Sequence, residues 1–318
     1  MIGGSRLHLA PGAEPALLDL IAALERAGYD FVAPTPATHT RVVARPDKVV
    51  ASDLRDIFGW SLAFRPALLP AEMLGFLERA GLTRREGDLL KSGVRVSRIG
   101  SHLFLHSAYP TDDAESVFLG PDSYRFADFI RAEIPRIAGA RRLVDIGAGA
   151  GVGGIMAAAL LPGARITLVD VNPAALRLAS VNARHAGVDV ELVEGEGIEA
   201  VSGPIDLAIA NPPFIMDESG RTYRDGGDMH GARLSLDWTL AAARRLEPGG
   251  RMLLYTGVAI VDGKDELRTA LERELPALSC TLRYRELDPD IFGEELDRPS
   301  YRDVERIAAV GAVVEAAR

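Results

Sequence analysis

The chain has 318 residues, 47% hydrophobic and 25% charged, with a net charge of -9. That length allows two domains, and the composition excludes a disordered or collagen-like chain. The acidic balance excludes a global basic field that would hold nucleic acid by phosphate neutralisation alone, so only a local basic face could serve that purpose.

The N-terminal sequence MIGGSRLHLAPGAEP lacks the apolar core and small-residue cleavage site of a secretory signal. The most apolar stretches, such as Ile155 to Leu161, fall far short of the roughly 18 residues that a membrane helix needs, and Pro162-Gly163 ends that one. Cys280 is the only cysteine, so an internal disulfide is excluded. A reducing cytoplasm and no membrane partner are the expectation.

Amphipathic helices are expected at Glu14 to Ala27 and at Pro70 to Ala80, without repeated βα units. FLERAGLTRREGDLL, KSGVRVSRIG and SHLFLHS then read as a helix pair followed by a two-stranded hairpin turning near Ile99-Gly100. That outline is compatible with a winged helix. Residues 1–100 carry 13 Lys and Arg against 11 Asp and Glu, or +2, which leaves -11 for the remainder. Arg79, Arg84, Arg85, Lys91, Arg95 and Arg98 crowd one stretch, but Glu78, Glu86 and Asp88 interleave with them, as on a solvated helix face. His102 and His106 share one face of a strand with Phe104, with no carboxylate or Cys cluster at metal-ligand spacing, so no metal site is expected. The stretch from Ser107 to Asp122 is the best linker candidate, which divides the chain into residues 1–110 and 111–318.

From about Arg141 short apolar runs alternate with helical stretches, the pattern of a parallel sheet covered by helices. Seven strands are expected: Arg142 to Ile146, Arg165 to Val171, Asp189 to Val193, Asp206 to Ala210, Arg251 to Val258, Cys280 to Arg285 and Ile307 to Val314. The Pro-, Gly- and Asp-rich connection between the last two leaves no crossover helix, so that pair is expected to be antiparallel.

The first of these strands ends in VDIGAGAG, where Gly147, Gly149 and Gly151 allow a tight turn and close approach to a ligand, with Asp145 two positions before the first glycine. Spacing of this kind, GxGxG, differs from the dinucleotide fingerprint GxGxxG. Asp170 ends the second strand, where a carboxylate can accept both hydroxyls of a ribose, and either Asp170 or Asn172 can cap the following helix. After the third strand Glu196 is either an adenine-amine acceptor or part of a solvated acidic turn. The fourth strand ends in Asn211-Pro212-Pro213-Phe214, the most specific element of the chain: two prolines without N–H stiffen the loop and leave its carbonyls free as acceptors.

On these motifs, the tract from Val117 to about Val314 resembles a class I S-adenosylmethionine-dependent methyltransferase of the NPP-aromatic group. That group includes the HemK-like glutamine methyltransferases of release factors, the small-domain guanine methyltransferases of ribosomal RNA and the adenine amino methyltransferases. A smaller N-terminal α+β domain, residues 1–110, is expected to recognise the substrate because it carries none of the strand-end motifs. The resemblance implies a Rossmann-like seven-stranded α/β sheet, with S-adenosyl-L-methionine as cofactor. Asp145, Gly147, Gly149 and Gly151 would line its methionine and ribose side, Asp170 its ribose, Val171 its adenine and Glu196 the adenine amine, where the family commonly has Asp. FLGPDSYRFADFI resembles the segment that closes over the cofactor, with Tyr124 as the candidate contact. Asn211, Pro212, Pro213 and Phe214 would orient a planar NH2 toward the methyl, and Asn211 also borders the cofactor.

The expected function is therefore N-methylation of a planar amide or exocyclic amine. A protein glutamine of the release-factor type leads, since GGDMHGAR loosely resembles a glycine-containing tract of the glutamine methyltransferases. RNA or DNA base amines are the alternative acceptors. A non-catalytic cofactor-binding module and an NAD-dependent oxidoreductase are disfavoured by the intact NPPF and by the GxGxG spacing. Arg221 to Arg233 is either a substrate lid or a plain connection, and Asp288 to Asp303 either rims the site or solvates a loop.

Overall fold

The computed structural model describes residues 9–111, 113, 115–137, 139–216 and 225–318. The chain forms two compact units. One comprises Met1–Arg125, Gly149–Val152 and Asn172–Asp189, and the other Phe126–Ala148, Gly153–Val171 and Val190–Arg318.

The first unit opens with α1 (Glu14–Arg26), whose Leu17, Leu20, Ile21 and Leu24 recur at helical spacing and are buried. Helices α2 (Pro36–Val43), capped by the Thr35 side chain, α3 (Leu54–Phe58) and α4 (Ala71–Arg79) follow. Two antiparallel hairpins then appear, β1 (Thr83–Glu86) with β2 (Leu89–Ser92) and β3 (Val94–Ile99) with β4 (His102–Ser107). The second hairpin turns where expected. The first replaces the second member of the expected helix pair: Gly81 and Gly87 take left-handed backbone, which stops α4 and makes the β1–β2 turn.

The stretch expected as a linker, Ser107 to Asp122, is tied back on itself: Ser107 N donates to Val117 O and Ser107 Oγ accepts from Val117 N. Residues 112 and 114 lie outside the described part. His106 is fully buried.

Helix α5 (Pro121–Glu133) leads to β5 (Arg142–Ile146), α6 (Val152–Ala158), β6 (Arg165–Asp170), α7 (Pro173–His185), β7 (Val190–Glu194) and β8 (Ile205–Ala210). Then come α8 (Arg233–Ala243), β9 (Leu246–Val261), the two-residue β10 (Lys264–Asp265), α9 (Glu266–Glu274), β11 (Cys280–Asp288) and β12 (Arg306–Ala316). The sheet order is β11-β12-β9-β8-β5-β6-β7, with β10 added on β9. Seven strands stand at their expected places, and β11 and β12 are antiparallel as expected. One face of the sheet, including Val144, Ala208, Leu254 and Val310, packs with Leu236 and Ala242 of α8 and Leu267 and Leu271 of α9. No helix among the described residues is long and apolar enough to cross a membrane.

Candidate active site

Strands β7, β6, β5 and β8 run parallel, so their carboxyl ends share one edge. The chain steps from β5 outward to β6 and β7, then returns to β8 on the other side of β5. Such a reversal opens a crevice beyond the strand ends, and ligands bind there in open α/β sheets. Ile146 and Ala210 are register partners across the reversal, so Gly147 and Asn211 leave the sheet side by side. Asp170 and Glu194 are partners at the same edge, which puts Val171 and Glu196 next along it.

Gly147, Gly149 and Gly151 have φ of 68°, 53° and 82°, a region that L side chains avoid, which accounts for the glycine requirement of this turn. A Cβ on Gly149 would meet nothing within 4 Å, so this part of the turn has room for a ligand. A Cβ on Gly147 would lie 2.7 Å from Cη2 of Trp238. The same indole reaches the turn after β7, its Nε1 lying 3.5 Å from where a Gly197 Cβ would be. Trp238 thus wedges between two of the ligand-side turns. Sequence reasoning missed it, because one aromatic on an amphipathic helix looks like any core residue.

The predicted cofactor residues differ in what they present. Asp145 is 1% exposed, and its Oδ2 accepts from Gly154 N at 2.7 Å, so it lies beneath the glycine turn and holds the start of α6. Burial pushes its carboxyl up to about 7; the Gly154 N–H opposes this and the nearby Asp170 charge adds to it. Asp170 is half-buried, and its carbonyl accepts from Gly195 N at 3.1 Å. Val171 is 45% exposed, an apolar side chain free to pack on a ring, and Glu196 is exposed. Asn172, not Asp170, caps α7, its side chain accepting from Ala174 N. The Tyr124 hydroxyl accepts from Ala33 N at 2.9 Å, a bond to backbone of the first unit.

The raised Asp145 pKa gives a pH test. Because the folded value lies above the unfolded one, its contribution to stability is full below about pH 4 and lost as pH rises through 7. The difference is on the order of 4 kcal/mol. Denaturant melts of cofactor-free protein should show Asp145→Asn gaining on the parent chain between pH 4 and 8. Parallel profiles would mean that Asp145 ionises as an ordinary carboxylate.

Asn211 is half-buried, and its side-chain amide has no hydrogen-bond partner among the described residues. Pro212 is buried and Pro213 half-buried. Phe214 departs from the expectation of a ring presented to an acceptor. It is 8% exposed, lies where a Gly257 Cβ would come within 2.3 Å of it, and meets Phe292 edge-on at 5.6 Å. Beyond it, Tyr301 Oη accepts from Met216 N at 2.8 Å and donates to His230 O at 3.3 Å. The acidic segment from Asp288 to Asp303 therefore rims this loop through Phe292 and Tyr301. Of the candidate lid, Arg221 to Arg224 lie outside the described residues. No group of His, Cys, Asp or Glu able to hold a metal occurs among the described residues.

Residues 132–272 match the family described as methyltransferase small domain. The chain carries a methyltransferase small domain. That family is one of class I S-adenosylmethionine-dependent methyltransferases, and S-adenosylmethionine is its cofactor. It is 30% identical over 189 residues to a release factor glutamine methyltransferase of Deinococcus radiodurans, covering 58% of this chain and 66% of that one. It is 32% identical over 100 residues to a ribosomal RNA small subunit methyltransferase C of Ectopseudomonas mendocina, covering 27% and 30%. The chain thus spans between about a third and two thirds of the curated relatives it matches. Among solved structures, Trm5 of Methanocaldococcus jannaschii in complex with adenosine aligns over 91% of this chain and 74% of its own, with a TM-score of 0.51. At 13% identity that likeness speaks for the fold alone.

The residues at the strand ends suit the family's cofactor. Gly149 leaves open space, Val171 offers an exposed apolar surface and Asp170 a carboxylate.

Proposed function

We propose that this chain N-methylates a planar nitrogen, with a glutamine side-chain amide of a protein as the acceptor. The observation that carries the reading is the Asn211 amide, half-buried and without a partner among the described residues at the strand reversal, followed by two prolines that offer no competing N–H. S-adenosylmethionine supplies a methyl group already activated on a sulfonium. The protein's task is then alignment: Asn211 Oδ1 and the Pro212 carbonyl accept the two hydrogens of an NH2, aiming the nitrogen lone pair at the methyl. The same acceptors favour the positive charge that grows on nitrogen in the transition state.

In this reading Asp170 holds the ribose hydroxyls, Val171 packs on the adenine and Glu196 accepts from the adenine amine. Gly147, Gly149 and Gly151 cradle the methionine side over the buried Asp145. Residues 1–110 recognise the acceptor. The resemblance to a release factor glutamine methyltransferase extends over more of the chain than that to the ribosomal RNA enzyme, which supports a protein acceptor.

Calorimetry should show saturable S-adenosylmethionine binding that Asp170→Ala weakens at least thirtyfold, about 2 kcal/mol. NADH binding with no response to S-adenosylmethionine would end the methyltransferase reading. Radiolabelled methyl transfer into a lysate separated into protein, RNA and DNA decides the acceptor. Label is expected in protein, and label confined to RNA or DNA would make a nucleobase amine the substrate.

A further inference from the structure

The stretch of basic residues between Arg79 and Arg98 contains one that is almost wholly buried. Arg95 is 3% exposed. On the β3–β4 hairpin it stands directly opposite His106, and Ser97 shares their face two residues on. Its Nε donates to Ser107 O at 3.1 Å, and its guanidinium carbon lies 6.0 Å from the centre of the Tyr109 ring. Among the described residues, no carboxylate forms an ion pair with it and neither terminal nitrogen has a hydrogen-bond acceptor.

Two other buried charges among the described residues are compensated by opposite ones. Asp56 takes Lys48 Nζ at 2.6 Å and the Ser52 hydroxyl at 2.7 Å, and Glu133 takes Arg136 and Arg283. An unpaired buried ion carries a desolvation penalty of several kcal/mol. Burial lowers the Arg95 pKa only to about 10, so the group stays charged and neutralisation does not relieve that penalty. Among the described residues, the ionisable groups that feel its charge most are Tyr29, Tyr109, Tyr124, His39 and His106, none of them an anion at neutral pH.

The two histidines add a second observation. His106 Nε2 bonds Ser97 Oγ at 2.8 Å while its Nδ1 is buried without a partner. His39 stacks on Tyr109 with ring centres 4.0 Å apart, and its Nδ1 is also buried without a partner. Burial and the Arg95 charge both hold these rings well below the usual histidine range, so they stay neutral and add no competing cation. A guanidinium fork with unused donors, bordered by neutral imidazoles with unused nitrogens, is a polar site built inside the first unit.

We propose that Arg95 anchors one carboxylate of the protein acceptor, bound by the guanidinium fork on the β3–β4 face. The inference rests on the reading of residues 1–110 as the recognition unit for a protein. A carboxylate suits the fork because its two oxygens match the two terminal nitrogens in a plane. A nucleic acid would call for several cations spaced along a backbone. Here there is one deep cation in a chain of net charge -9, and the neighbouring Arg84 is already paired with Glu86.

The test titrates the full chain, without S-adenosylmethionine, with sodium acetate and separately with inorganic phosphate, against chloride at constant ionic strength. Melting temperature and the imidazole resonances of His39 and His106 are followed. Acetate is expected to raise the melting temperature saturably and to shift both imidazoles, and phosphate to do neither. Arg95→Met should melt no lower than the parent chain without anion and should lose the acetate response. Arg95→Lys, which keeps the charge but not the fork, should need at least fivefold more acetate. Three results would each overturn the proposal: no saturable acetate effect on the parent chain, an undiminished effect in Arg95→Met, or saturation by phosphate in place of acetate, which would point to a nucleic-acid backbone. Acetate binding is independent of methyl transfer, so its failure is distinguishable from a failure of S-adenosylmethionine to bind.

Discussion

Asn211→Ala is expected to lower methyl-transfer kcat by at least a thousandfold while the melting temperature and the S-adenosylmethionine affinity stay close to those of the parent chain. The side chain bonds nothing among the described residues, so removing it breaks no contact that holds the fold. Its Cα stands at the reversal between β8 and β5, the place where an acceptor meets the cofactor edge. Without Oδ1, one N–H of the bound amide faces no acceptor, the nitrogen lone pair wanders from the methyl, and the alignment term is lost. Well-aligned intramolecular reactions owe roughly 7–11 kcal/mol to such positioning, so losing about 4 kcal/mol of it accounts for the thousandfold. Cofactor affinity should change less than tenfold, because the glycine turn, Asp170 and Val171 are untouched. Asn211→Asp provides the control: it keeps an acceptor oxygen, and should retain more activity than Asn211→Ala. Near-normal turnover by Asn211→Ala would reduce the NPPF loop to a rigid turn.

The sequence made the chemical edge legible because each of its parts is local. A glycine turn after an apolar strand, an Asp at the next strand end and two prolines after a third are read from consecutive residues, and the parallel sheet then brings them together. Contacts made from a distance were not legible. Phe214 looked like a presented aromatic, yet Gly257 leaves a gap that its ring fills and Phe292 closes on its edge. The Tyr124 hydroxyl accepts from Ala33 N, far off in the chain, a bond that no local pattern announces. Arg95 was grouped with solvated arginines because nothing in RVSRIG distinguishes an inward position on a hairpin whose two faces are both covered. The β1–β2 hairpin was missed for the opposite reason: TRRE is charged and exposed, and lacks the apolar alternation that marks a half-buried strand.

Gly147→Ala is expected to weaken S-adenosylmethionine binding by about a hundredfold, roughly 2.7 kcal/mol. Two separable effects lead there. At φ 68° an L side chain costs about 1–2 kcal/mol, which the turn can relieve only by moving away from the shape that faces the ligand. The added methyl would also lie 2.7 Å from Cη2 and 2.9 Å from Cζ3 of Trp238. The indole cannot simply retreat, because its other edge borders Gly197 and it packs against the core beneath α8. A double-mutant cycle with Trp238→Ala divides the total. In the Trp238→Ala background the methyl has room, so Gly147→Ala should there weaken binding by only about tenfold, the share owed to the backbone. Trp238 reports directly as well: the chain has two tryptophans, so Trp60→Phe leaves it as the sole emitter, and its fluorescence should change saturably with S-adenosylmethionine. Equal penalties for Gly147→Ala in both backgrounds would remove Trp238 from the shaping of the turn, and binding within threefold of the parent chain would remove the turn from the cofactor site.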